Sequence, residues 1–440
     1  MGIAADIRRL VDRTPFVDTH EHLWEESVRL RALDLEDESK MPAPDIGMLF
    51  SHYTDSDLKV AGMPGDALAV AFRWDIAPRD KWKALEPYYR RTHNTGYMMN
   101  VRESLRLLYD EDDLRADNVE RISAKMRAAV QPGFYRVVLR DFANIEYAQV
   151  NCIEGPIFGE TAQPDLLAQD LSFAALSAAG DRDRLAAEAG VTLKGLKDWH
   201  AVIDWAFETY GPRAIAVKSQ NAYARGLDYA RVAAEEAAPY FEKMLRDRGA
   251  LEAAERKAVE DHLFHYCVHK ATEYDLPVKL HTGYYAGHNS IPLGRLQGNP
   301  AEMCELCRAH PDARFVFMHI TYPYHDHIIA AAKHWPNAYI DMCWAWIINP
   351  MACVRFVKEF LGAAPACKLL TFGGDYRPVE MVPGHAAVAR RGLAQALSEL
   401  VEERWLREAE LEALTDCLMR GNAHELFDLE RTLKNWNKVQ

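Results

Sequence analysis

The residues with the clearest chemical potential lie near the start of the chain, in the run FVDTHEH at positions 16–22. Successive side chains of a β-strand point to opposite faces, so His20 and His22 would project together and Glu21 would point away. Two imidazoles on one face form a natural clamp for a metal ion, because imidazole is a common metal ligand. A His-x-His pair also arises by chance, so a metal site needs further ligands elsewhere in the chain.

Other residues of ligand type follow later apolar runs. His281 ends the run PVKLH, His319 ends the run FVFMH, and Asp375 follows the run LLTFGG. Enzymes built on parallel βα barrels gather their catalytic groups at the carboxyl ends of the strands. We therefore expect these three side chains to join His20 and His22 in one site.

The elements that must position these residues alternate along the chain. From about Gly211 onward, short β-branched or apolar runs are separated by longer amphipathic stretches, which is typical of parallel βα units. Strands are predicted at residues 15–22, 213–219, 277–282, 314–320, 338–343 and 368–373, with 146–153 and 171–176 as candidates for the second and third. Helices are predicted at residues 81–91, 100–109, 255–274, 300–310 and 351–361, and throughout 386–428. The pattern favours an α/β fold, and a barrel with insertions fits the length as a single domain, residues 1–440.

A long polar and aromatic segment, residues 24–132, follows the first predicted strand and is expected to form several helices. An insertion at this point of a barrel belongs to a βα loop. We therefore expect it to form a cap over the active site and to shape the substrate pocket.

Composition excludes several classes of partner. The 440 residues contain 52 Lys and Arg against 65 Asp and Glu, a net charge of −13, without a long basic run, so nucleic acid is not an expected partner. The N-terminal residues lack the apolar core of a signal peptide, and no run of about 18 apolar residues occurs. We expect a cytoplasmic protein without membrane contact, with free thiols at its eight cysteines. Its expected partners are a small-molecule substrate and a second copy in a homo-oligomer.

The motifs together resemble the amidohydrolase superfamily, whose members carry His-x-His on the first strand, His on the fifth and sixth, and Asp on the eighth. That order matches His20, His22, His281, His319 and Asp375 one by one. The closing segment GNAHELF is similar to the last helix of the branch called amidohydrolase 2. The resemblance implies a (β/α)8 TIM barrel with a divalent metal, and imidazole and carboxylate ligands on a rigid barrel suit zinc.

Lys218, at the end of the run IAVKS, has two interpretations. Some members of the resembled superfamily carry a carboxylated lysine on this strand that bridges two metal ions. On that interpretation Lys218 is a metal ligand and the site holds two ions. Alternatively, its ammonium group faces the pocket and binds a substrate carboxylate, and the site holds one ion.

The roles of the remaining residues follow from charge. A divalent cation lowers the pKa of a bound water, and Asp375 is the predicted base that takes its proton. His319 would be either a ligand of a second metal or a catalytic group that polarises the scissile bond. Residues expected to contact substrate are Tyr223, Arg225, Tyr284, Trp344 and Arg377.

The leading hypothesis is a hydrolase in which metal-activated water cleaves an amide, ester or lactone bond of a small polar or anionic substrate. The insertion also resembles that of uronate isomerases, and non-oxidative decarboxylases occur in the same branch. A noncatalytic domain, like the barrel fused to some glutamine-synthetase-like proteins, is a further alternative, against which the intact ligand positions argue.

Two other groups of ligand-type residues are interpreted as structural. His262, His265 and His269 recur at helical spacing, but without the glutamate of a His-Glu-x-x-His motif they predict a solvated or partly buried helical face. Cys304, Cys307 and His310 also share a helical face. A structural zinc site would need a further ligand pair, so packing is expected for them.

Overall fold

The computed structural model describes residues 2–153, 155–287 and 291–438. The chain divides into two units, each assembled from three separate stretches of sequence. The first unit comprises Met1–Ala148, Tyr285–Pro292 and Met342–Asn422, and the second comprises Gln149–Tyr284, Leu293–Asp341 and Ala423–Gln440. That residues 1–440 form a single domain stays a prediction.

Nine short strands occur in the described residues. They are β1 Phe16–Glu21, β2 Ile145–Val150, β3 Leu167–Gln169, β4 Leu171–Ser172, β5 Val217–Ser219, β6 Val278–Leu280, β7 Phe315–Phe317, β8 Ala338–Asp341 and β9 Leu369–Leu370. Each of the eight predicted strand segments overlaps an observed strand, so the strand prediction is confirmed in position but too long in extent. The segment 171–176 is a strand for two residues only, since a helix begins at Ala174. The strand β3 was not predicted.

Helices precede, separate and follow these strands along the chain. Those before β5 are Ile3–Arg13, Glu26–Leu35, Thr54–Val60, Gly65–Val70, Pro78–Thr92, Gly96–Tyr109, Val119–Ala129, Phe134–Arg136, Ala174–Ser177, Arg182–Glu188 and Leu196–Tyr210, with a π-helix at Val137–Phe142. Those after β5 are Ala234–Arg246, Ala253–Glu273, Asn299–Ala309, His325–His334, Ala345–Ile348, Pro350–Ala363, Val382–Glu402, Leu411–Asp416, Asn422–Leu426 and Leu429–Trp436, with a π-helix at Cys417–Gly421. The predicted helical region 386–428 is interrupted after Glu402. Among the described residues, no helix is both long and apolar enough to cross a membrane.

In the second unit, the strands β4 to β8 form a parallel sheet in chain order. Its register aligns Val217 with Val278, and Val278 with Phe315. The strands are almost entirely buried and mostly apolar, as is typical of parallel sheets covered on both faces, and Lys218 and Lys279 are buried charged residues within them. Because neighbouring strands end at the same level, His281 and His319 follow adjacent strand ends.

In the first unit, β1 runs beside the segment that contains Asp375. The amide of Thr19 donates to the carbonyl of Phe372 at 3.0 Å, and the amide of Asp375 donates to the carbonyl of His20 at 2.9 Å. The insertion 24–132 consists of several helices, as the sequence predicts, and belongs to this unit.

A buried ion pair lies within the second unit. The ammonium nitrogen of Lys279 is 2.8 and 2.9 Å from the carboxylate oxygens of Asp170, and both side chains are 0% exposed. The ring centroid of Phe427 lies 5.3 Å from the same nitrogen. Removing one partner of a buried pair leaves the other charge without compensation, which costs more than the intact pair contributes.

We predict that Lys279→Met lowers the free energy of unfolding by about 3–5 kcal/mol, because Asp170 stays buried without its counterion. Urea denaturation followed by circular dichroism measures this. The exposed Arg8, 2.8 Å from Asp12, supplies the control Arg8→Met, which should change stability by less than about 0.5 kcal/mol. The double variant Lys279→Met with Asp170→Leu should recover most of the loss. Equal unfolding midpoints for Lys279→Met and the parent would contradict the prediction.

Candidate active site

Three of the predicted ligands meet in the first unit. The Nε2 atoms of His20 and His22 are 3.3 Å apart, and their rings meet edge to face. Oδ1 of Asp375 lies 3.4 Å from the His20 Nε2 atom and 3.2 Å from that of His22. All three residues are buried, with at most 8% of any one exposed. His20 lies in β1 and His22 is the first residue after it, and their imidazoles lie on one face, as the strand period of two predicts.

The spacing of these atoms suits a metal ion. Imidazole nitrogens and carboxylate oxygens bind zinc at about 2.0–2.2 Å, so two ligands at tetrahedral angles are separated by about 3.4 Å. The three separations of 3.2 to 3.4 Å match this value. His20, His22 and Asp375 could therefore hold one divalent ion.

The backbone around Asp375 is held by two acidic residues of β1. The amide of Gly374 donates to Oδ1 of Asp18 at 3.2 Å, and the amide of Tyr376 donates to Oε2 of Glu21 at 2.6 Å. Asp375 itself has a φ of 61°, a left-handed conformation that is uncommon for residues other than glycine. These hydrogen bonds on both sides stabilise that conformation and direct the Asp375 carboxylate toward the histidines.

The side chain of Glu21 fills the space beside Gly374. A Cβ atom on Gly374 would lie 1.8 Å from Oε1 of Glu21, so any larger residue here would require the Glu21 side chain to move. Burial raises the pKa of the Glu21 carboxyl well above its usual range, and the nearby Asp18 raises it further. The sequence predicts that Glu21 points away from the histidines, and its contact with the Tyr376 amide agrees with this.

The insertion contributes a group that the sequence analysis did not identify. The hydroxyl of Tyr53 donates to Oδ2 of Asp375 at 2.5 Å. The two oxygens of Asp375 therefore have different neighbours, since Oδ1 faces the imidazoles and Oδ2 faces the phenol. Nothing in the local sequence HYTD marks Tyr53, and only the fold brings it to a residue 322 positions away.

Aromatic rings fix the position of Tyr53. Its ring stacks on that of Trp344 with a centroid distance of 4.4 Å, and on that of Tyr97 at 5.8 Å. Trp344 is fully buried and stacks on Tyr53, and its predicted contact with substrate stays a prediction. The ring centroid of His52 lies 4.0 Å from that of Tyr53. Burial lowers the pKa of His52 to about 3, so its imidazole is neutral at pH 7.

Arg377 belongs to the same unit and follows Asp375 by two residues. Its guanidinium carbon lies 6.0 Å from the ring centroid of Trp24, at the start of the insertion. Its positive charge also acts on His52, whose pKa it helps to lower. A half-buried guanidinium in this position suits a carboxylate ligand.

The other two predicted histidines meet in the second unit. Nδ1 of His281 lies 3.0 Å from Nε2 of His319. Nε2 of His281 contacts the carbonyl of Tyr284 at 3.0 Å, which places a proton on that nitrogen and leaves Nδ1 facing His319. The structure thus brings together His20, His22 and Asp375 in one unit, and His281 and His319 in the other. That all five ligate one centre stays a prediction.

The chain turns sharply after β7. His319, Ile320 and Thr321 have φ values of 61°, 46° and 55°, three consecutive left-handed residues without a glycine. Each such residue costs of order 1–3 kcal/mol, and strain of this kind is often found at functional sites. The hydroxyl of Thr282 contacts that of Thr321 at 3.1 Å and so supports the turn beside His281.

The remaining predicted residues of the second unit have identifiable neighbours. Lys218 is buried, and its ammonium nitrogen lies 3.0 Å from the sulfur of Met318; its carboxylation stays a prediction. The ring of Tyr223 lies 4.5 Å from that of His281. The guanidinium of Arg225 forms an ion pair with the carboxylate of Asp261. This ion pair compensates the charge of Arg225 within the protein, and substrate binding by Arg225 stays a prediction.

Comparison with known protein families and curated proteins agrees with the motifs. The family described as amidohydrolase matches residues 158–429. Protein fluG of Emericella nidulans is 29% identical over 167 residues, which cover 36% of this chain and 18% of fluG. The chain thus spans less than a fifth of the length of that relative.

Solved structures resemble almost the whole chain. Glucuronate isomerase from Caulobacter crescentus is 18% identical with a TM-score of 0.75, covering 96% of this chain and 93% of its own. Uronate isomerase from Thermotoga maritima is 15% identical with a TM-score of 0.76, covering 96% and 97%. A proposed metal-dependent hydrolase from Lactobacillus casei is 17% identical with a TM-score of 0.65, covering 97% and 98%. At these identities the likeness shows the fold alone, and the α/β fold predicted here, a TIM barrel of the amidohydrolase kind, is confirmed.

We predict that His20→Ala combined with His22→Ala removes the divalent ion held by this cluster and so lowers the metal content by about one ion per chain, because two of three clustered ligands disappear. Elemental analysis of the purified protein measures metal per chain. His269→Ala is the matched control, since His269 is exposed and contacts Glu273 at 3.1 Å. Metal content equal to that of the parent in the double variant would refute the assigned ligands.

Proposed function

Because the chain belongs to the amidohydrolase family, we propose that it is a metal-dependent enzyme that interconverts the aldose and ketose forms of a small sugar acid. One observation carries this proposal: the Tyr53 hydroxyl and the Asp375 carboxylate, two groups that can carry protons, lie 2.5 Å apart beside the clustered histidines. Two adjacent proton carriers suit a reaction that removes a proton at one carbon and returns it at the next.

The reaction needs no external oxidant or water. An aldose and its ketose have the same formula, and their interconversion moves one hydrogen from C2 to C1 and one proton from the oxygen on C2 to the oxygen on C1. The carbonyl group changes position, and no group leaves. The protein must therefore supply a base, an acid and a means of holding the two oxygens.

Asp375 and Tyr53 would divide the proton transfers. The carboxylate of Asp375 accepts the proton from C2, and the same group returns it to C1 on the same face of the substrate. The Tyr53 hydroxyl holds Oδ2 of Asp375 in place and exchanges its proton with a substrate oxygen. A divalent ion held by His20 and His22, most suitably zinc, would polarise a substrate oxygen and so acidify the neighbouring C–H bond.

The acid group of the substrate would be bound by Arg377. This guanidinium lies two residues beyond Asp375 and against Trp24. A guanidinium binds a carboxylate through two parallel hydrogen bonds, which orients the substrate as well as attracting it. A substrate anchored in this way is a uronate or a related hydroxy acid.

Similar proteins support this choice. The structures from Caulobacter crescentus and Thermotoga maritima are described as glucuronate and uronate isomerases, and their likeness extends over nearly the whole chain, including the insertion that carries Tyr53. The family match supports metal-dependent chemistry on the same barrel.

Hydrolysis of an amide, ester or lactone is the second candidate. The arrangement that favours it is Asp375 itself, because a carboxylate 3.2 to 3.4 Å from two imidazoles can also accept the proton of an attacking water. In that reaction the Tyr53 hydroxyl would protonate the leaving group.

The two candidates differ in the fate of a hydrogen atom. We propose to incubate the zinc-loaded enzyme in deuterium oxide with D-glucuronate, with D-galacturonate and, in parallel, with a lactone, an ester and an amide of these acids, and to follow the products by NMR. Isomerisation would give a ketose and a change in hydrogen content at C1 or C2. The absence of both, together with cleavage of a lactone, ester or amide, would replace isomerisation by hydrolysis.

We predict that Asp375→Asn lowers kcat by about 10²–10⁴-fold, since an amide cannot accept a proton. Tyr53→Phe should lower kcat by about 10²-fold with a smaller change in KM, because the hydroxyl acts on the reacting groups. Tyr88→Phe, on a helix of the same insertion, is the matched control and should behave as the parent. Full turnover by Tyr53→Phe would remove Tyr53 from the mechanism.

A further inference from the structure

A second group of imidazoles lies in the second unit. The Nε2 atoms of His200 and His262 are 2.9 Å apart. Nδ1 of His265 lies 2.6 Å from Nε2 of His310. Three of these residues line a surface cavity of about 390 Å³, whose lining residues are Arg231, Val232, Ala233, His262, His265, Tyr266 and His310. The sequence predicts only a solvated or partly buried helical face here, and does not associate His200 with it.

The rings of the first pair are held in fixed orientations. Nδ1 of His262 lies 2.9 Å from the carbonyl of Val232 and donates to it, which leaves the lone pair of Nε2 directed at His200. The ring of His200 stacks on that of Tyr266, with centroids 4.1 Å apart and planes 5° from parallel. Metal-binding histidines commonly donate their second nitrogen to a backbone carbonyl in this way.

The charges near the two pairs differ. The carboxylate of Asp204 acts on His200, and the Tyr266 hydroxyl donates to it at 3.0 and 3.1 Å. Lys270 shares this carboxylate at 3.3 Å. Burial lowers the pKa of both histidines of the second pair; the nearby guanidinium of Arg231 lowers both further, whereas Asp261 raises that of His265. A cation is therefore better accommodated at the first pair.

The nitrogen–nitrogen distance within each pair also distinguishes the two pairs. Two nitrogens bound at about 2.05 Å to one ion, at a right angle, lie about 2.9 Å apart. The His200–His262 separation of 2.9 Å matches this, whereas the 2.6 Å of the second pair is too short for it. Right-angled nitrogen ligands are typical of Ni²⁺ and Cu²⁺.

We propose that His200 and His262 bind a divalent transition-metal ion, such as Ni²⁺ or Cu²⁺, with water completing its coordination. The site shares no residue with His20, His22 and Asp375, and it is independent of the proposed isomerase activity. Burial, together with the neighbouring His262, lowers the pKa of His200 to about 4, so at pH 7 its imidazole is neutral, as a metal ligand must be.

Equilibrium dialysis of tag-free protein against Ni²⁺ at pH 7, with nickel counted per chain, tests the site. Nickel bound elsewhere is common to all variants, so only differences from the parent matter. His200→Ala and His262→Ala should each bind one Ni²⁺ fewer than the parent. His262→Gln should also bind one fewer, because its amide can make hydrogen bonds but ligates Ni²⁺ poorly. His269→Ala, an exposed position on the same helix, and His310→Ala should match the parent.

The result that overturns the proposal is an equal nickel count in the parent, His200→Ala and His262→Ala. The two imidazoles would then share only a hydrogen bond. A loss confined to His310→Ala would also overturn it, since the ion would belong to the other pair. Circular dichroism of each variant shows whether the fold is retained, and His262→Gln supplies the decisive comparison if an alanine variant fails to fold.

Discussion

The geometry of the candidate site depends on one carboxylate whose two oxygens contact different groups. In Asp375, Oδ1 faces the imidazoles of His20 and His22, and Oδ2 accepts a hydrogen bond from the Tyr53 hydroxyl. A carboxylate is planar and rigid, so placing one oxygen also places the other. The strand β1, the loop that carries Asp375 and the insertion that carries Tyr53 must therefore be placed correctly relative to one another. The hydrogen bonds from the backbone of Gly374 and Tyr376 to β1 fix the loop on the strand.

The parts of this arrangement that depend on local rules could be predicted from the sequence. The two-residue period of a strand was enough to predict that His20 and His22 share a face. The position of Asp375 after an apolar run marked it as a strand-end residue, and the alternation of apolar runs with amphipathic stretches predicted the α/β fold. Strand lengths were overestimated because apolar runs continue beyond the residues that form ladder hydrogen bonds.

The parts that depend on contacts distant in sequence could not be predicted. Tyr53 reaches Asp375 across 322 positions, and Lys279 finds Asp170 across 109. A lysine inside the apolar run VKL gives no sign of its partner. The left-handed backbone of Trp344 and Asp375 could not be predicted either, because residue types other than glycine rarely adopt it and no local sequence pattern marks the exceptions.

The tight fit between Gly374 and Glu21 has a consequence for how such a site can diverge. With 1.8 Å between a Cβ at position 374 and Oε1 of Glu21, a larger residue at position 374 requires the Glu21 side chain to move or to be replaced by a shorter one. A substitution of Gly374 thus depends on a change in the position or the identity of the Glu21 side chain. We therefore expect residues 21 and 374 to vary together, so a loop from a relative with a side chain at position 374 would need a first strand with a shorter side chain at position 21.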